Sequence, residues 1–334
     1  MNKRSTIADV ARTAGVSMMT VSRAINQKPG VSAKLRAKIL ALADKMDFHP
    51  NNVARSLATK QTRTIGLLVS DITNPFFAQI AHGVESTAYD FGYSVFLINT
   101  MESAERELSA TNSLMRQRID GAVLCSLRQS EKSLHKTIGQ FSAAVLLNRE
   151  LRSPLPNLVT INANDQRGAQ IAIQHLLNKG CRKIAYIAGP TDSISNKRRL
   201  KGYRAALGSA GIPFNPQMVE SGMPDTEGGR SAAAALLARQ RRVEAIYAFN
   251  DLMAVGAMQV CQESGRDIPG DVRIIGVDDI PLATIIRPQL TTLHLNLASI
   301  GSLAMRTLID IIQGKEPSAQ AIQINSELVI RDSA

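Results

Sequence analysis

The sequence predicts a small all-α head followed by an α/β body whose parallel sheets form two lobes. Three observations predict it. The first 63 residues carry most of the net charge and three apolar stripes at helical spacing. The remaining 271 residues alternate strand-like apolar runs with helix-length amphipathic stretches. Eight such runs are too many for one ordinary sheet, so two lobes are expected.

The head comes first. Thr6 precedes Ile7, Val10, Ala11 and Ala14, and Asp9 completes a capping-box-like pair with it. Gly15-Val16 breaks this helix. Ser17 caps a second, Met18 to about Ile25, with Val21 and Ile25 facing inward. After the loop Asn26-Gln27-Lys28-Pro29-Gly30, Ser32 begins a third helix with Leu35, Ile39, Leu42 and Met46 on one face. Helix, short glycine-containing turn and second helix make a helix-turn-helix, whose second helix enters the major groove of DNA. Residues 1–63 hold 12 Lys/Arg against Asp9, Asp44 and Asp47, a net +9; the other 271 residues carry only +2. An excess so localised suits a polyanion. Met18, Met19 and Arg23 are the expected base readers: Arg23 pairs with guanine O6 and N7, and the methionines meet thymine methyls. Ser17, Thr20, Ser22 and Asn26 suit phosphates, and the helix-capping Thr6 and Ser32 join them.

In the body, the expected strands are 65–70, 94–99, 121–126, 143–148, 158–162, 183–189, 245–250 and 273–277. Ligands of open α/β sheets bind beyond the C-terminal ends of strands. The polar and aromatic residues there are Asp71, Asn74, Phe76, Phe77, Asn148, Arg149, Asn250 and Asp278, with Arg199 at a later helix entry. Phenylalanine rings stack on the apolar face of a sugar, and Asn, Asp and Arg hydrogen-bond its hydroxyls.

Several classes are excluded. There is no HExxH, GxSxG, GxGxxG or GxxxxGK[ST] pattern, and no nucleophile–base pair, so neither catalytic residues nor a cofactor is expected. Cys125, Cys181 and Cys261 are isolated in apolar runs, which reads as buried thiols rather than a metal site. No run of 18 apolar residues spans a membrane, and no apolar signal core follows Met1.

The strings Ala11 to Asn26 and Pro50 to Ala58 resemble the signature of the lactose-repressor (LacI) family of bacterial transcription regulators. The likeness continues through Asp71-Ile72-Thr73-Asn74-Pro75-Phe76-Phe77, Ile119-Asp120-Gly121, Phe249-Asn250-Asp251 and Gly276-Val277-Asp278-Asp279, hence over essentially the whole chain. The resemblance implies a helix-turn-helix domain at 1–50, a hinge helix and linker at 51–62, and a two-lobed periplasmic-binding-protein-like core at 63–334. It divides that core into an N-lobe of 63–162 plus 293–323 and a C-lobe of 163–292 plus 324–334. It places Asn52, Ala54, Arg55, Leu57 and Ala58 in the minor groove, with Leu57 as the intercalating wedge. A helix this short orders only when paired on DNA.

The implied partners are a double-stranded pseudo-palindromic operator, a second copy of the chain and a small-molecule effector, a sugar or sugar derivative. The resemblance also implies a cytoplasmic, bacterial, nucleoid-associated repressor. No leucine-heptad extension follows Ile330, so dimers are expected. Asn148 replaces a common aspartate, Leu295 a common glutamine and Pro224 a common aromatic, while Asn164-Asp165 inverts the usual pair. These departures, with Arg149 and Arg199, point to an arginine-rich pocket for a sugar acid, a sugar phosphate or another anion. Either sign of control satisfies the sequence. A periplasmic receptor fits only residues 63–334, and an enzyme has only isolated carboxylates to work with.

Overall fold

The structure is a computed structural model; it describes residues 5–48, 61–153, 155–240, 242–317 and 319–334. Residues 1–62 and 63–334 are two separate compact units.

The first unit is three helices, α1 Ile7–Ala14, α2 Met18–Ile25 and α3 Ala33–Lys45. Each start is chemically marked. Thr6 and Asp9 exchange the two bonds of a capping box, and the Ser17 and Ser32 hydroxyls accept from Thr20 and Leu35. Gly15 ends α1 in the left-handed region at φ 67°, where glycine bears no steric cost. Val10, Ala11, Val21, Ala24, Ile39 and Ala43 form the core.

The second unit contains two six-stranded sheets. The chain first runs through β1 Thr64–Val69, α4 Pro75–Asp90, β2 Ser94–Asn99, α5 Ala104–Arg116, β3 Gly121–Cys125, α6 Glu131–Ile138, β4 Ala144–Leu147 and β5 Leu158–Ala163. Next come α7 Asp165–Asn178, β6 Ile184–Ala188, α8 Ile194–Ser209, a 3₁₀ turn at Pro216–Met218, β7 Val219–Ser221 and α9 Thr226–Arg239. The chain continues through β8 Ala245–Ala248, α10 Asp251–Glu263, β9 Arg273–Asp278, α11 Leu282–Ile285 and β10 Thr291–His294. It closes with α12 Leu297–Ile312, β11 Ala321–Ile324 and β12 Glu327–Val329.

The sheet orders are β11-β5-β4-β3-β1-β2 and β12-β10-β9-β8-β6-β7. All pairings are parallel except β10 with β12. The chain passes between the sheets three times: after β5, after β10 and after β11. Central strands such as β3 and β4 are buried along their whole length, as a parallel sheet covered on both faces requires. All three cysteines are buried.

The eight expected strands are present with ends shifted by at most two residues; β7, β10, β11 and β12 are additional. The reasons are local. β7 and β12 are three-residue edge strands, and β11 alternates exposed and half-buried residues with none fully buried. In β10, Thr291 and Thr292 are buried because their hydroxyls have buried partners, which an apolar-run criterion misses.

Candidate functional site

Helix α2 exposes a narrow set of side chains. Met18 and Met19 are 56% and 65% exposed, and Arg23 lies one turn further on, also exposed. Val21 and Ala24 turn inward and fix which face is presented. Large apolar groups so exposed at a helix start suit an apolar surface such as thymine methyls. The side chains expected to contact phosphates make structural bonds here. Thr6 donates to Asp9 (2.6 Å), Ser17 lies 2.9 Å from the Thr20 hydroxyl, and the Asn26 amide donates to the Ser22 carbonyl (2.9 Å). Asn52, Ala54, Arg55, Leu57 and Ala58, expected to form the hinge, lie outside the described residues.

In the second unit, a cleft lies between the two sheets' C-terminal ends. From the expected set it brings together Asn74, Phe76, Phe77, Asn148, Arg199, Asn250 and Asp278. Asn74 caps α4 by accepting from Phe76, and the Phe76 and Phe77 rings meet edge-to-face at 5.0 Å. Asn250 caps α10 through Met253 and donates to the Pro224 carbonyl, so capping and cleft lining coincide in one residue.

Two expected residues do not line this cleft. Asp71 folds back to accept from the backbone and hydroxyl of Thr73. Arg149 is buried and donates to the Leu127 carbonyl (3.1 Å) and the Gln129 carbonyl (2.7 Å). Burial pulls its pKa down, and Glu107 opposes this. Leu295, at the glutamine-like position, is core.

The cleft also contains Glu102, Ser126, Arg128, Ser193, Ser195, Pro224 and Phe249. Of these, Pro224 stands where the family resemblance implies an aromatic. Glu102 and Arg128 sit in turns after β2 and β3 and join through Arg128 Nε and Nη2 to Glu102 Oε2, at 2.6 and 2.5 Å. Burial raises the Glu102 carboxyl and Arg128 holds it down. Four lining residues, Glu102, Ser126, Asn148 and Asp278, have φ of 55°, 52°, 54° and 114°. Left-handed backbone at non-glycine residues costs free energy and concentrates where side chains are held for function.

The opposite wall is an ionic network. Arg199 binds Asp165 at 2.8 Å, donates to the Phe249 carbonyl and stacks on the Phe249 ring at 4.6 Å. Burial drives the Asp278 carboxyl well above the usual range; Arg199 pulls it down, while Asp251 and Asp165 push it up. Arg149 is outside the cleft lining, while Arg128 and Arg199 line it and each shares a carboxylate, Glu102 and Asp165 respectively. The cleft presents a balanced set of carboxylates, guanidiniums, amides and rings.

Residues 62–332 match the family described as "Periplasmic binding proteins and sugar binding domain of LacI family". Residues 6–51 match "Bacterial regulatory proteins, lacI family". The chain belongs to the LacI family. As a LacI-family protein it is a transcriptional regulator with a DNA-binding head and a sugar-binding-type domain. It is 35% identical to the HTH-type transcriptional repressor PurR of Photobacterium profundum over 98% of both chains. Its fold is similar to the lac repressor dimer bound to operator and the anti-inducer ONPF, with TM-score 0.90, 29% identity and 99% of both chains covered. It is likewise similar to a CelR–cellobiose complex, with TM-score 0.75 and 30% identity over 99% of this chain and 100% of that one. Among the described residues no helix is long and apolar enough to cross a membrane.

Proposed function

We propose that this LacI-family regulator represses transcription by binding a pseudo-palindromic operator as a homodimer, and that a sugar-like effector in the cleft controls it. The head reads DNA, residues 51–62 act as the hinge, and residues 63–334 sense and dimerise. The observation that carries the reading is the presentation of Met18, Met19 and Arg23 on α2 of a strongly basic head, in one chain with a polar, phenylalanine-floored cleft. The lac repressor structure with operator and ONPF, and the CelR complex with cellobiose, support it.

In this reading Met18, Met19 and Arg23 specify bases, while Thr6, Ser17, Thr20, Ser22, Asn26 and Ser32 set register on phosphates. Effector contacts come from Asn74, Phe76, Phe77, Asn148, Arg199, Asn250 and Asp278. Ligand shifts the equilibrium only through unequal affinity for the DNA-competent and DNA-incompetent states. No catalytic step is assigned, and the protein acts on the nucleoid in the cytoplasm.

Selection from random duplex DNA tests this. The expected outcome is enrichment of a two-half-site sequence whose affinity falls steeply between 50 and 200 mM salt, roughly 10³-fold or more for six or more phosphate contacts. Binding without sequence preference overturns the reading.

A further inference from the structure

The Glu102–Arg128 pair is posed rather than incidental. The two side chains are 11% and 7% exposed, yet both line the cleft. The turn carrying Arg128 is fixed from behind. The fully buried Glu107 accepts from the Arg128 amide (2.7 Å) and the Gln129 amide (3.0 Å). Arg149 holds the Leu127 and Gln129 carbonyls, and Ser70 donates to the Ser126 carbonyl (3.3 Å). The turn carrying Glu102 holds Met101 and Glu102 in the left-handed region. Both contacts from Arg128 converge on Oε2 of Glu102. A carboxylate has further acceptor capacity on Oε1, and a guanidinium has five N–H donors.

We propose that Glu102 and Arg128 are the specificity-determining pair of the cleft, reading two neighbouring hydroxyls of a neutral polyol and rejecting the carboxylated or phosphorylated form of the same skeleton. An acceptor fixed beside a donor matches a vicinal diol, in which one hydroxyl donates to Glu102 and its neighbour accepts from Arg128. An anionic ligand must compete with Glu102 for Arg128 and then lie against the displaced carboxylate. Partial burial makes both the match and the repulsion stronger than in water. Among the described residues that line the far wall, the one cation, Arg199, is already paired with Asp165. This rests on the cleft being the effector site.

The test is calorimetric titration of the full chain with matched probes: D-glucose and D-glucose 6-phosphate, D-galactose and D-galacturonate, D-ribose and D-ribose 5-phosphate. The expected result is that at least one neutral sugar binds ten-fold or more tightly than its anionic counterpart. E102Q is expected to shrink that ratio at least ten-fold by freeing Arg128, and R128Q to weaken the neutral sugar at least ten-fold. Circular dichroism and retained DNA binding check that the variants fold. A wild-type preference for the anion, or a ratio unchanged in E102Q, overturns the pair's role while leaving the cleft reading intact. Binding that survives E102Q, R128Q and D278N together lies elsewhere, and it overturns the cleft reading itself. Failure of all six probes to bind overturns both.

Discussion

Arg199 and Asp165 meet at 2.8 Å between α8 and the first residue of α7, and the second carboxylate oxygen of Asp165 is buried without a hydrogen-bond partner. Removing Arg199 leaves a buried carboxylate uncompensated. Arg199→Leu is expected to destabilise the second unit by about 3–5 kcal/mol. The double variant Arg199→Leu/Asp165→Leu is expected to recover part of the loss, since an apolar pair replaces a broken ionic one. Denaturant unfolding of both variants measures the difference; equal stability of the single variant and the wild type contradicts the account.

Asp251 gives a pH signature. Burial pushes its carboxyl from 3.8 up to about 7, against hydrogen bonds from the Thr292 hydroxyl and the Ile280 amide. A folded pKa above the unfolded one means the native state holds the extra proton. The contribution is therefore fully present below about pH 3.8 and is lost as pH rises to about 7. Asp278, raised by the same cause, adds in the same direction. Asp251→Asn is expected to flatten the dependence of melting temperature on pH over that window. Parallel curves for variant and wild type count against it.

Helices α4 and α12 cross where a side chain has no room. A Cβ on Gly301 would stand 2.2 Å from the Ile80 carbonyl oxygen, and one on Gly83 would stand 2.0 Å from that of Ala298. Backbone cannot rotate away as a flexible side chain does. Gly301→Ala is expected to cost at least 1–3 kcal/mol, visible as a lower melting temperature. An unchanged or higher melting temperature refutes the close crossing.

On the head, Arg23→Ala is expected to weaken the selected operator by about 1–3 kcal/mol and relax preference at one base position per half-site. Thr6→Ala removes the capping box instead, with an expected loss of about 1 kcal/mol of stability. Binding assays against single-base operator variants separate the two: relaxed specificity belongs to Arg23, uniform weakening to Thr6.

Much of this was legible because it is local. Caps at Thr6, Ser17 and Ser32, the break at Gly15 and the apolar runs of the central strands are written in adjacent residues. The cleft set was legible wherever strand ends carry distinctive side chains, as at Asn74, Phe76 and Asp278. Arg149 was misplaced because its partners are two backbone carbonyls of another loop, which side-chain chemistry does not announce. Glu102 and Arg128 were missed for a related reason. They lie 26 positions apart in turns, and each alone reads as a solvated charge. Glu107 sits on α5 and looks like a helix-surface acid until the fold buries it beneath the Arg128 turn.

The left-handed turns at Glu102, Ser126, Asn148 and Asp278 have a practical consequence for anyone retuning the sensor. Random libraries at these four codons will carry many clones whose defect is conformational, because most side chains, the β-branched and bulky ones above all, fit that backbone poorly. A library confined there to Asn, Asp, Gly and the resident residue, with full diversity reserved for Arg128, Ser193 and Ser195, keeps most members folded. It then surveys recognition rather than loop geometry.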